Sequence, residues 1–181
     1  MKIEAKYREG LRQLMKTMPL DEINVVMLSS HVKSNRQTFY YHYRDISDVV
    51  ESILLKERVG YGVRPYDFEN IIKPLIAYIN ANHQFLIAVA NSFASDKLEQ
   101  FYYSYFYQRT IQYLKYTRKD ELNSMPVNNQ IVRYIASLFS KEMNYWTLNK
   151  RKEKPLHLQR RLTLIWFYFI DTYTKEVKGF K

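Results

Sequence analysis

With 181 residues and a hydrophobic share of 46%, the chain is long enough to bury a core, as one or two small domains. Its 4 Gly and 5 Pro favour long helices over a sheet protein, whose tight turns demand more glycine, and the absence of Cys excludes disulfides and thiolate chemistry and suits a reducing compartment. The net charge of +10 is uneven: residues 1–60 carry 10 Lys+Arg against 8 Asp+Glu and residues 61–181 carry 18 against 10, so a nucleic-acid reading must rest on local patches.

Ile3, Tyr7, Leu11, Leu14 and Met18 recur at three or four residues and predict a first helix ending near Pro19. Val25, Leu28 and Val32, at i, i+3 and i+7, give a short second helix with Asn24 as its N-cap. A third starts at Ser34, where Ser34 and Gln37 fit a capping box, and runs to Tyr41. Too few residues separate these two helices for anything but a tight turn, so the pair reads as a helix-turn-helix whose first turn displays Asn35, Arg36 and Gln37 to base edges. Lys33, Arg36 and Arg44 lie in residues 29–44 with no acid, which makes the reading surface positive. Phe39 is expected to point into the core.

A fourth helix follows from Ile46 to about Val59, capped in the Asp45/Ser47 region and broken by Gly60, Gly62 and Pro65. The expected organisation is therefore all-α: a three-helix helix-turn-helix domain over residues 1–60 and a helical domain over residues 61–181. The second domain is predicted to hold helices over Phe68 to Ala81, with Pro74 as a kink or break, then His83 to Phe93 and Leu98 to Tyr116. Beyond a linker closed by Pro126 come Asn128 to Leu148 and Leu156 to Val177, separated by a basic loop from Asn149 to Pro155. Ile131, Ile135, Leu138, Met143 and Tyr145 form one apolar stripe, and Leu158, Leu162, Ile165, Phe169 and Tyr173 another, suited to a four-helix dimer seam. From these the interface candidates are Ile131, Ile135, Leu138, Leu162, Ile165 and Phe169.

The run Arg36-Gln37-Thr38-Phe39-Tyr40-Tyr41-His42-Tyr43, preceded by Ile23-Asn24-Val25 and followed by a helix from Ile46, resembles the DNA-binding domain of TetR-family bacterial transcriptional regulators. Arg-Gln-Thr-Phe-Tyr is similar to the run in short members related to the dihydroxyacetone kinase activator. The resemblance covers the first third of the chain and implies a homodimer bound to an operator, with a C-terminal domain for dimerisation and a small-molecule effector. It also implies phosphate contacts from Tyr40 and His42. Two positions depart from the family pattern: Val32-Lys33 stands where the turn usually carries Ala-Gly, and Ile46 stands where a phosphate-touching Lys is common, with Arg44 as a substitute. The DNA-binding candidates are thus Lys33, Ser34, Asn35, Arg36, Gln37, Thr38, Tyr40, Tyr41, His42 and Arg44. Arg36 is the strongest of them, because its fork matches guanine O6 and N7.

In the second domain, Tyr78, His83, Tyr102, Phe106 and Trp146 are candidates for an effector pocket, since an aromatic ring with a polar tip suits a site between helices. The basic loop, Lys150 to Lys154, is a weaker candidate for an acidic partner. An enzyme is not expected: the four His lack metal-ligand spacing, and no Gly-rich phosphate loop is present, so neither metal nor cofactor is implied. The N-terminal MKIEAKYREG has no apolar h-region, and Leu162 to Ile170 is about half the roughly 18 residues of a spanning helix, so a cytoplasmic protein without membrane association is expected. The alternative is a helical interaction protein that keeps the fold and acts through a protein partner, an option favoured by the atypical Val32-Lys33 turn.

Overall fold

The computed structural model describes residues 2–117, 128–149 and 152–179, with the side chains of 128, 129 and 171–179 outside that description. The predicted Pro126, Lys150, Arg151 and the side chain of Tyr173 therefore lie outside the described residues. Nine α-helices and no strand occur among the described residues: α1 Ile3–Leu14, α2 Val25–His31, α3 Arg36–His42, α4 Ile46–Lys56, α5 Glu69–Ala81, α6 His83–Ala90, α7 Ser95–Thr117, α8 Asn128–Leu148 and α9 Pro155–Gly179. No helix among them is long and apolar enough to cross a membrane. Two compact units are formed, the first from Met1–Arg58 with Asn82–Phe101 and the second from Val59–Ala81 with Tyr102–Lys181.

In the first unit α1 packs on α2 and α4, and α2 packs on α3. Tyr7, Leu11, Leu28, Phe39, Val49 and Val50 are fully buried there. Gly10 permits a close approach of α1 to the end of α2, because a Cβ at that position would stand 2.4 Å from Val32 Cγ1. Polar contacts tie the second segment of this unit to the first. Arg12 pairs with Glu57 at 2.5 Å and lies over the Phe85 ring at 4.3 Å, Lys97 reaches Glu51 at 3.1 Å, and Asp21 accepts from the Phe93 amide at 3.0 Å. α4 ends at Lys56, three residues earlier than its sequence suggests; Glu57 turns extended and its carboxylate meets Arg12.

The second unit is centred on five rings drawn from three helices and the residue before α5. Phe68 stacks on Trp166 at 4.9 Å and meets Phe139 at 5.2 Å, Phe106 meets Phe139 at 5.2 Å, and Tyr113 abuts Trp166 edge-on at 5.2 Å. These rings tie α7, α8, α9 and the residue before α5 into one core, each bringing large apolar area and a preferred geometry. Pro74 resolves as an interior residue of an unbroken α5. Proline has no N–H, so the Asn70 carbonyl loses its i+4 donor, and the ring crowds the preceding turn. Two α7 side chains reach this turn: Arg109 Nη2 supplies the missing donor to Asn70 O at 3.3 Å, and the Tyr105 hydroxyl adds a bond to Ile71 O at 2.7 Å.

Candidate nucleic-acid interface

Asn24 caps α2 as expected, its Oδ1 accepting from the Met27 amide at 3.0 Å. The end of α2 explains how Val32-Lys33 replaces the usual small residues. Lys33 adopts φ 55°, the left-handed region, while the Lys33 amide donates to Ser30 O at 3.1 Å and the Ser34 amide to Ser29 O at 2.8 Å. This pair of bonds is a Schellman closure, which satisfies the last carbonyls of α2 and reverses the chain in two residues. Lys occupies a position that glycine takes without steric cost.

The start of α3 differs from the capping box read in the sequence. Asn35, not Ser34, is the N-cap: its Oδ1 accepts from the Thr38 amide at 2.8 Å, and the helix begins at Arg36. Ser34 is drawn away by a tertiary contact, its Oγ accepting from the Tyr7 hydroxyl at 2.9 Å. Gln37 is therefore not engaged as a cap, and Arg36 and Gln37 occupy an exposed first turn. Asn35 is exposed as well, but one face of its amide is committed to the backbone.

Along α3 the side chains divide cleanly. Phe39 is fully buried, edge-on to Tyr7 at 5.3 Å and to Tyr40 at 5.5 Å, as expected for the residue that seats the helix. Tyr40 is 59% exposed and Tyr41 84% exposed, which leaves their hydroxyls open toward a ligand. Thr38 is half-buried. His42 lies under the Tyr41 ring at 5.0 Å, with Nδ1 3.4 Å from Glu4 Oε1, so it has a partner within the protein. Tyr43 closes the helix from the buried side, its hydroxyl 3.3 Å from Ser52 Oγ.

Arg44 is exposed but engaged: Nε and Nη2 reach the two Asp48 oxygens at 2.9 Å each, and its amide donates to Asp48 at 2.9 Å. Those hydrogen bonds hold the Asp48 carboxyl below the usual carboxylate range. Both Nη1 hydrogens and the second one on Nη2 remain available for a phosphate. One basic residue escaped the sequence argument. Lys6 on α1 lines a shallow groove with Lys33, His31 and Gln13, which adds a cation beside the turn; 27 positions separate the two lysines, so no local pattern links them.

The interface and effector candidates of the C-terminal helices divide by burial. On α8 the inward face is Val132, Ile135, Ala136, Phe139, Met143 and Trp146, with Ile131 and Leu138 half-buried and Tyr145 66% exposed. On α9, Leu158, Leu162, Trp166 and Ile170 point inward, Ile165 is half-buried and Phe169 is 41% exposed. Leu164, Phe167 and Tyr168, at i, i+3 and i+4, form an outward apolar patch that the sequence stripe did not include. Of the effector candidates, Phe106 belongs to the ring cluster, Tyr102 shares a hydrogen bond of 3.0 Å with Thr147, and Trp146 Nε1 donates to Glu153 O at 2.9 Å. Tyr78 is half-buried on α5 in the second unit, and His83 opens α6 in the first.

Residues 66–166, more than half of the chain, match the family model described as a transcriptional regulator C-terminal region of TetR type. A solved structure titled "Dihydroxyacetone kinase operon activator DhaS" superposes with a TM-score of 0.61 over 93% of this chain and 94% of that one, at 15% sequence identity, a likeness of fold. No curated protein matches the chain.

Proposed function

The chain belongs to the TetR-type transcriptional regulators, and on that premise we propose that it is a cytoplasmic homodimer that reads a near-palindromic operator through α3 and regulates transcription. The observation that carries this reading is the pairing of a closed Schellman turn with an α3 whose first turn presents Arg36 and Gln37 to solvent. Residues 1–60 read DNA, and residues 61–181 dimerise and bind a small effector. Arg36 discriminates bases; Gln37 and Tyr41 assist; Lys33, Thr38, Tyr40 and Nη1 of Arg44 position the protein on phosphates. Asn35, Ser34 and His42 support the reading helix through their intramolecular bonds, with base or phosphate contact as a secondary role.

Dimerisation has a geometric purpose, since two reading helices must stand about 34 Å apart to enter successive major-groove faces. The outward patch Leu164, Phe167, Tyr168 and Phe169 on α9, with Ile131, Leu138 and Ile165 at its margin, supports a seam formed by α8 and α9 of two copies. Ile135 and Leu162 stiffen that seam from within their own subunit. An effector regulates only if it binds the DNA-competent and incompetent states with different affinity. The Arg12–Glu57 and Lys97–Glu51 pairs support a route for that response, because they tie the middle and the C-terminal end of α4 to neighbouring helices.

The test is selection of DNA fragments by the purified protein beside Arg36→Ala and Tyr40→Phe variants at near-physiological salt. A palindrome enriched by the native chain, lost in Arg36→Ala by about 1–3 kcal/mol of discrimination and weakened alike on all DNA in Tyr40→Phe, is the expected result. No enrichment from folded, dimeric protein would favour a partner-binding protein of the same fold. Repression is the default sign, and transcription in vitro from a promoter carrying the selected site decides it: less transcript supports repression, more supports activation.

A further inference from the structure

Arg109 on α7 is the only charged residue in the buried set among the described residues, at 8% exposure. Arg12, Arg44 and Arg161 are more exposed, and each has a carboxylate partner. Arg109 has none: its partners are the neutral Gln112 Oε1 at 3.1 Å, Val63 O at 2.7 Å and Asn70 O at 3.3 Å. Its Nε is buried with no hydrogen-bond partner, and one Nη1 hydrogen is left over. This is a buried positive charge that faces only neutral groups: carbonyl and amide dipoles and the Tyr105 hydroxyl beside it. The bond to Asn70 O repairs the Pro74 gap, yet a neutral donor would serve there equally. Bridging that gap does not account for the charge.

The loop that precedes α5 runs against Arg109. Gly60 and Gly62 have φ of 67° and 79°, and the chain between them and α5 is fastened to the guanidinium through Val63 O. A Cβ on Gly60 would stand 3.2 Å from the Tyr105 hydroxyl and 3.4 Å from Arg109 Nη2, so the loop backbone lies directly against the pair, whereas a Cβ on Gly62 meets open space. Left-handed glycines allow peptide rearrangements that other residues resist. This loop also begins three residues after the end of α4.

We propose that Arg109 is the anchor for the anionic group, a carboxylate or a phosphate, of a small ligand bound in the second unit, with residues 60–66 as the lid that such a ligand displaces from Val63 O. The ligand's charge replaces the dipoles that now face the guanidinium, and release of Val63 frees the connection between α4 and α5. This deepens the effector reading given above and rests on it for its regulatory consequence, but not for binding itself.

The test uses the full chain with inorganic phosphate and with sodium acetate, each against sodium chloride at matched ionic strength, and compares native protein with Gln112→Glu. Gln112 is exposed and already touches Nη1, so the substitution offers Arg109 an internal carboxylate. The native chain is expected to gain about 3–5 °C in Tm at ten times the Kd of whichever anion binds, with faster amide exchange over residues 60–66. Gln112→Glu is expected to melt higher without ligand and to lose most of the anion response. A larger response to phosphate than to acetate assigns a phosphate group, and the reverse assigns a carboxylate. Equal Tm gains in both chains would mean general stabilisation by an anion excluded from the protein surface and would overturn the site, as would unchanged exchange in the lid of the native chain, a readout that needs no variant. An anion that binds as described yet leaves operator affinity unchanged would uphold the site and remove the effector reading; a different small molecule that releases DNA without touching Arg109, in a chain that ignores both anions, would do the opposite.

Discussion

The turn at Val32-Lys33 and the interior proline of α5 both interrupt a helical hydrogen-bond ladder, one in the first unit and one in the second, and they are repaired by different means. At Lys33 the repair is local: two backbone amides close on α2 carbonyls, and the cost is a lysine held at φ 55°. At Pro74 the repair comes from another helix, through Tyr105 and Arg109 reaching across to Ile71 O and Asn70 O. A local repair keeps the hydrogen bonds of the turn within a few residues of chain, while Gly10 and Tyr7 seat it on α1. A repair from another helix makes the geometry of α5 depend on α7.

The largest expected effect is at the tertiary repair. Arg109→Ala leaves the Val63 and Asn70 carbonyls without their donor and is expected to cost about 2–4 kcal/mol in urea denaturation. In a Pro74→Ala background the restored amide satisfies Asn70 O, so the Arg109→Ala penalty should shrink; equal penalties in both backgrounds would refute the bridging role. Tyr105 carries a pH signature of the same contact. Burial pushes its hydroxyl up from the usual 10 to about 12, so its contribution is complete below pH 10 and disappears as pH rises through 12. Tyr105→Phe should therefore flatten the fall in stability between pH 10 and 12, by up to about 1.4 kcal/mol per pH unit, as read from denaturation midpoints across that range.

In the first unit the effects are smaller. Asn35→Ala should cost about 1 kcal/mol through loss of the N-cap, and more than Ser34→Ala, the reverse of what a capping box at Ser34 would give. Lys33→Gly sharpens the contrast further. It should raise stability by about 0.5–1 kcal/mol by relieving the left-handed lysine, and at the same time lower DNA affinity and reduce the salt slope by about 1, a trade visible only by measuring both.

The features the sequence determined by itself are those set by neighbours three or four residues apart. The Asn24 cap, the bounds of α8 and the inward Phe39 follow from short-range hydrogen bonding and helical periodicity, and the all-α class follows from scarce glycine and apolar spacing. The exposed Arg36 and Gln37 were likewise legible, since the first turn of a short helix has few ways to hide. What only the tertiary structure decided depends on partners distant along the chain. Tyr7, 27 positions from Ser34, takes the hydroxyl that a local reading gave to the cap, and the Trp166 cluster sets which of two overlapping apolar stripes on α8 turns inward, leaving Tyr145 outside. The same holds for Pro74, which a sequence reads only as a kink or break, because the donors that keep α5 whole stand more than thirty residues away on α7. Periodicity fixes that a helix has an apolar face; which residues meet across it is settled by packing, because side chains from several helices must fill one volume without voids and satisfy each other's buried polar groups.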